Sequence, residues 1–276
     1  MKLHLLLYIS LLPFFFSSCG NRTEPFTFVQ LCDPQLGFGG YEHDSLALVQ
    51  AVKQINMLDP AFVVVCGDLV HNPGDKTYSD FKSIVSALEM PVYLAAGNHD
   101  MGSSAALPEP DSLEYYRSTI GNDYYSFTFN NYYFIVVNST LWTAPIEGET
   151  EKQDQWLAQT LSDLDPKDSL IVIAHHQLFV DNPGERNDRA PIKPEKRDEL
   201  LDLFSSANLV AYLYGHTHMS SQKEYGHVKF VSSETTSVNF DKRPFGFRLW
   251  EVTDTSVINE FVPLENNQPV QTALPG

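Results

Sequence analysis

Five apolar runs, each stopped by a short polar block, constrain the architecture of this chain more than any other feature. The runs are Phe28-Val29-Gln30-Leu31-Cys32, Phe62-Val63-Val64-Val65-Cys66, Val92-Tyr93-Leu94-Ala95-Ala96, Leu170-Ile171-Val172-Ile173-Ala174 and Leu209-Val210-Ala211-Tyr212-Leu213-Tyr214. Short runs this rich in β-branched and aromatic residues read as buried β-strands. The blocks that follow them are Asp33-Pro34-Gln35, Gly67-Asp68, Gly97-Asn98-His99-Asp100, His175-His176 and Gly215-His216-Thr217-His218. Strand ends in α/β sheets are where loops present chemistry on a rigid frame. Carboxylates, amides and imidazoles gathered at one point make a donor mixture suited to transition metals.

Helical patterns alternate with these strands, as in an α/β sheet. Residues 44–58 carry Leu48, Val52 and Ile55 on one face and end at Asp59-Pro60; residues 78–88 repeat the pattern with Phe81, Ile84, Val85 and Leu88. Asn130-Asn131 between 124–129 and 132–137 signals a hairpin. Helices are expected over 150–164 and 194–204, and strands over 230–232, 247–252 and 257–262. With 276 residues, 43% of them hydrophobic, the chain can bury its core as one domain. The irregular stretch 180–193 is the longest expected loop. Its Asp181, Glu185, Arg186, Asp188 and Arg189 read as a solvated surface, with an arginine on a substrate phosphate the lesser alternative.

The formal net charge is −17, with no run of Lys or Arg, so nucleic acid is a poor partner. Bound cations would reverse that sign locally. Residues 1–19 resemble a lipoprotein-type signal peptide: Met1-Lys2, an apolar stretch over 5–16, then Ser17-Ser18-Cys19-Gly20. Phe16 stands where Leu is usual. The reading is an exported chain anchored to the cell envelope by a lipid on Cys19, with 20–25 as a tether, 26–264 as the domain and 265–276 as a tail. Membrane contact is expected only through that lipid. Cys32 and Cys66 are expected as buried free thiols.

The blocks in order, Asp-x-Gln, Gly-Asp, Gly-Asn-His-Asp, His and Gly-His-x-His, resemble those of the calcineurin-like metallophosphoesterase superfamily. Asp33-Pro34-Gln35-Leu36-Gly37, Gly67-Asp68-Leu69-Val70-His71, Asp154-Gln155-Trp156-Leu157 and Pro244-Phe245-Gly246-Phe247-Arg248 resemble its serine/threonine phosphatase branch. The similarity runs over about 26–262. It implies a four-layer α-β-β-α sandwich with two mixed sheets and a metal-dependent phosphoester hydrolase, most simply a phosphomonoesterase. A phosphodiesterase on the same core is the alternative, and a non-catalytic metal-binding lipoprotein a more distant one.

The resemblance also implies two divalent metal ions, Mn, Fe or Zn. Asp33, Gln35 and His218 would hold the first, Asn98, His175 and His216 the second, and Asp68 would bridge them. His99 would donate a hydrogen bond or proton to the phosphoester, and Asp100 would orient His99 through its other ring nitrogen. Gln35 departs from the His that most members have, and an amide oxygen favours an oxygen-preferring ion such as Mn²⁺ or Mg²⁺. His71 is a candidate additional ligand in partial replacement, against the alternative that it caps its loop. Gln177 stands where relatives often have Pro. His176 is expected behind the ligands or in the core, His43 and His227 at the surface, and Trp156 as a helix anchor. The tyrosine pairs 115–116, 124–125 and 132–133 are expected in packing. Substrate choice is assigned to loops such as 101–112 and 180–194, and oligomeric state is left open.

Overall fold

Alternation of side chains along each strand builds the layers. In β1 (Phe26–Leu31), Val29 and Leu31 face one way while Phe28 faces the other; Val63 and Val65 part from Val64 in β2 (Val63–Val65) in the same manner. A computed structural model describes residues 24–102, 108–186 and 189–265. The expected lipidation at Cys19, most of the tether, Asp188 and nearly all of the tail therefore lie outside the described residues. Among these residues no helix is long and apolar enough to cross a membrane.

After β1 and β2, separated by α1 (Tyr41–Leu58), come α2 (Asp75–Val85), β3 (Val92–Leu94) and α3 (Pro110–Thr119). The hairpin β4 (Tyr125–Phe129) and β5 (Tyr132–Val136) follows, with Asn130 at φ 50°, as a tight two-residue turn requires. Then come α4 (Thr140–Thr143), α5 (Glu149–Ser162), β6 (Ser169–Ile173), α6 (Pro194–Ser205), β7 (Asn208–Tyr214), β8 (Ser221–Tyr225), β9 (Val228–Ser232), β10 (Gly246–Val252) and β11 (Val257–Pro263).

Two mixed sheets result, ordered β11-β10-β1-β2-β3 and β4-β5-β6-β7-β9-β8. The strands β1, β2 and β3 are mutually parallel, as are β5, β6, β7 and β9. Phe28, Val64 and Trp250 of the first sheet pack against Phe134, Ile171, Ile173 and Leu213 of the second. Val29, Leu31, Val63 and Val65 meet α1 and α2 through Leu48, Ile55, Tyr78 and Phe81. Ile135, Leu170 and Val172 meet α5 and α6 through Leu157, Leu161, Leu200 and Phe204. Helix, sheet, sheet, helix is the four-layer sandwich expected. Strands covered on both faces read as unbroken apolar runs for this reason.

Two elements differ from the expectation. The edge strand β8, Ser-Gln-Lys-Glu-Tyr, has no apolar face to announce it; charge on an edge strand discourages pairing with another chain. Glu185 does not belong to a solvated surface. It is buried, accepts the backbone N–H groups of Val180 and Asp181 at 2.7 and 2.8 Å, and stands 3.6 Å from the buried Arg197. Arg186 and Arg189 pair with Asp198 and Asp181 on the exposed side of that loop. His43 is half-buried, on Asp44 at 3.0 Å and the Phe245 ring, while His227 is exposed.

Candidate metal centre

The polar blocks converge because of strand direction. All five follow the carboxyl ends of β1, β2, β3, β6 and β7, which run parallel within their sheets. The loops after β1 and β2 are zipped together by Gln35 N–H to the Asp68 carbonyl at 2.8 Å and His71 N–H to the Leu36 carbonyl at 3.1 Å. The backbone is strained here. Of the eight non-glycine residues with positive φ among the described residues, five are Asp33, Gln35, Asp68, His216 and His218. Such conformations cost on the order of 1–3 kcal/mol each and gather at functional sites. Two glycines permit the close approach: a Cβ on Gly97 would fall 2.1 Å from Asp68 Oδ1, and one on Gly215 would fall 2.4 Å from Asp33 Oδ2.

Two donor clusters result. The first joins Asp33, Asp68 and His218, and the second His175, His176 and His216, with ligand atoms in each within 4.8 Å of one another. Asn98 completes the second: its Oδ1 lies 2.9 Å from His175 Nε2 and 3.0 Å from His216 Nδ1, and those two nitrogens are 3.2 Å apart. Asp68 touches both, since its Oδ1 is 3.4 Å from His175 Nε2. Gln35 is buried with its Oε1 lacking any hydrogen-bond partner, while its Nε2 lies 3.4 Å from His71 Nδ1.

The tautomers follow from the outer contacts. His175 Nδ1 lies 2.8 Å from the Cys66 carbonyl and His218 Nδ1 lies 2.7 Å from the Val238 carbonyl, so each Nδ1 carries the proton and each Nε2 presents a lone pair. Those lone pairs face Asp68 Oδ1 at 3.4 Å and Asp33 Oδ1 at 3.7 Å. Burial pushes the pKa of His175 and His216 down to about 3 and lowers that of His218. Burial also raises Asp33 well above the carboxylate range, with Asp68 adding to it, and raises Asp68 itself. Neutral imidazoles and carboxylates that resist ionising, aimed at one another with a buried orphan amide oxygen, fit divalent cations. Cations would satisfy every one of these atoms.

His99 stands beside the clusters. Its backbone N–H donates to Asp68 Oδ1 at 2.9 Å, and its Nδ1–H donates to the His71 carbonyl at 3.0 Å. This corrects the role expected of Asp100. The fully buried Asp100 carboxylate accepts the backbone N–H groups of Leu69, Val70 and Gly97 at 2.9–3.3 Å, and the contact to the His99 ring belongs to the His71 carbonyl. The turn that begins at Gly97 points Asp100 inward, beneath the loops rather than toward the ring. His71 lies outside both clusters: its ring stacks on that of His99 at 4.8 Å and its Nδ1 faces the Gln35 amide.

His176 is buried, with its ring 4.4 Å from that of His216. Ser139 Oγ accepts the N–H groups of His175 and His176 at 3.1 and 2.9 Å, so its own proton goes to His176 Nδ1 at 3.1 Å. That leaves the neutral ring protonated at Nε2, a donor rather than a ligand. Ser139, Phe38 and Phe240 went unnoticed in the sequence, being common residue types outside every block. The carbonyls of Cys66, His71 and Val238 have no signature at all. Cys32 and Cys66 are buried free thiols, and the Cys32 S–H donates to the Tyr214 carbonyl at 3.2 Å. Trp156 is partly buried against Tyr124.

Fold and site define a metal-dependent phosphoester hydrolase. The chain belongs to the calcineurin-like phosphoesterase family, whose pattern matches residues 27–220. It is 31% identical to the serine/threonine-protein phosphatase CPPED1 of Rattus norvegicus over 91% of this chain and 88% of that protein. A 3',5'-cyclic adenosine monophosphate phosphodiesterase, CpdA of Haemophilus influenzae, is 24% identical over 77% of each chain. Among solved structures, a dimetal phosphatase from Danio rerio shares the fold with a TM-score of 0.63 and 15% identity, over 85% of this chain and 98% of that one.

Proposed function

We propose that the chain is a phosphomonoesterase that holds two divalent cations. Asp33, Gln35 and His218 would hold one and Asn98, His175 and His216 the other, with Asp68 available to both. The observation that carries this reading is the pair of imidazole lone pairs, on His175 and His218, directed at the carboxylates of Asp68 and Asp33. At 3.4 and 3.7 Å neither pair makes a hydrogen bond, and a cation would satisfy the lone pair and the carboxylate oxygen together. The orphaned Gln35 Oε1 and the contacts of Asp68 to both clusters support it.

Cations held there would supply charge neutralisation of the phosphoryl group and a water acidic enough to attack near neutral pH. The protein's own residues do the rest. The Cys66 and Val238 carbonyls fix the rings of His175 and His218. His99 gives its Nδ1–H to a carbonyl, so Nε2 is the nitrogen left free to hold the proton that passes to the leaving oxygen. The two-point hold on His99, backbone to Asp68 and ring to His71, keeps that nitrogen in place.

Metal analysis of the purified protein, with turnover of an aryl phosphate monoester and its bis-aryl diester, tests the proposal. Two equivalents of metal and a preference for the monoester are expected. A preference for the diester would transfer the reading to a phosphodiesterase, and a protein with metal but no turnover would be a metal-binding lipoprotein. We propose as well that the chain is exported and lipid-anchored through Cys19, on the strength of the apolar stretch and the Ser17-Ser18-Cys19 run. A Cys19→Ser variant should leave the membrane fraction; retention there would refute the anchor.

A further inference from the structure

We infer that Phe38 and Phe240 form an apolar subsite for the group esterified to the phosphate, so that the preferred substrate carries a flat apolar moiety close to its ester oxygen. The inference rests on the placement of His99 at the leaving oxygen. In-line displacement puts the leaving group opposite the nucleophile, so the residues around His99 are those the departing alcohol meets.

Phe38 sits in the loop after β1, its N–H donating to the Gln35 carbonyl at 3.0 Å. Its ring centroid lies 5.1 Å from that of His71, 5.2 Å from His218 and 6.5 Å from His99. Phe240 meets Phe38 edge-on at 6.2 Å and 82°, and lies 5.2 Å from His218. The two rings thus line the side of the centre that holds His99 and His218. The His175 and His216 side is bordered instead by His176.

Phe240 is 48% exposed, and it is held there rather than left loose. Its N–H donates to the His218 carbonyl at 2.8 Å. The Val238 carbonyl accepts from His218 Nδ1 at 2.7 Å and from Thr235 Oγ1 at 2.9 Å, and Asn239 Oδ1 accepts the Thr235 N–H at 2.8 Å. Asp241 accepts the N–H groups of Ser220 at 2.8 Å and Arg243 at 3.1 Å. A loop tied at so many points cannot fold its aromatic ring inward. Keeping a phenyl face in water forgoes burial free energy, which a bound apolar group would recover.

Ethyl phosphate and 2-phenylethyl phosphate test this, because their alcohols are of similar basicity and differ in the phenyl group. The wild-type kcat/KM should favour the phenylethyl ester by about 10-fold or more. Phe240→Ala should pull that ratio toward one, while Leu46→Ala, an exposed apolar residue on α1, should leave it alone. A ratio near one in the wild type overturns the inference. So does a parallel fall of both esters in Phe240→Ala, which would make the ring a mere prop for His218. Calorimetric binding of 2-phenylethylphosphonate against ethylphosphonate reads the same preference without turnover. Equal affinities there overturn the subsite, whereas a retained preference in a protein that hydrolyses neither ester refutes the phosphatase reading alone.

Discussion

The His71 carbonyl accepts the Nδ1–H of His99 at 3.0 Å while the two rings stack with centroids 4.8 Å apart. One residue therefore fixes both which ring nitrogen is tied down and the tilt of the group proposed as the acid. The arrangement leaves His99 Nε2 as the working nitrogen without spending a carboxylate on it. A carbonyl partner carries no full charge, so it orients the ring without forming an ion pair that would hold the proton back.

From this follows the behaviour of His99→Ala. Turnover should fall about 10²–10⁴-fold, the range for a positioned general acid. Metal content should be unchanged, because the contact from this residue to Asp68 is made by the backbone N–H, which alanine retains. Esters of basic alcohols should suffer more than activated aryl esters, which need little proton assistance. An equal loss for both kinds would remove the acid role and leave only phosphate positioning.

Asp68→Asn separates metal binding from folding. Loss of a partner that merely supports a ligand costs about 10–100-fold, so loss of the residue shared by both clusters should cost more than 100-fold. The fold should survive. Asparagine keeps an oxygen for the His99 N–H, and replacing a carboxylate whose pKa is raised by burial removes a desolvation cost. The metal-free variant should melt at or above the metal-free wild type. Near-normal turnover would dispose of the shared-ligand role.

The fold was legible because both sheets have their central strands covered on two sides, which writes them as apolar runs in the sequence. The site was legible because it hangs on the ends of those same strands. The polar edge strand β8 left no such mark, and neither did the capping interaction that starts α3, where Glu109 and Ser112 hold the first turn. Side-chain partnerships were the least accessible. Gly-Asn-His-Asp places Asp100 next to His99 in sequence, yet the turn sends the two side chains to different partners. The true partner of the His99 ring is a backbone carbonyl, and any residue at position 71 would supply one.

Gln35 and His71 should be coupled in metal binding. The Gln35 Nε2 faces His71 Nδ1 at 3.4 Å, which directs the orphaned Oε1 toward the cluster of Asp33, Asp68 and His218. His71→Ala should free the amide to turn and lower occupancy at that cluster, with the other little affected. Gln35→His should tighten it, imidazole being the better ligand for most divalent transition metals. The double variant should recover part of the lost occupancy. Titration of the metal-free proteins with Mn²⁺ reads all three. Unaltered affinity in His71→Ala would show that the ring neither ligates nor braces.

Asp100 should matter to stability far more than its neighbour does. Its carboxylate gathers three backbone N–H groups that lie beneath the loops following β2 and β3, and the Tyr78 hydroxyl donates to its carbonyl at 2.9 Å. Asp100→Ala would leave those buried donors without an acceptor, at about 1–3 kcal/mol for each that water cannot reach. Asp100→Asn retains one oxygen and loses a charge that burial disfavours, since burial raises the Asp100 pKa well above the carboxylate range. Thermal melting should therefore rank Asp100→Asn below the wild type, since its NH2 replaces one of the two accepting oxygens, and Asp100→Ala lowest, while His99→Ala melts with the wild type. Were Asp100→Ala to melt normally and lose turnover only on esters of basic alcohols, the carboxylate would act through His99 after all. The hydrogen bonds argue the opposite order: the loops that carry Asp68 and Asn98 are held by Asp100, and His99 rides on them.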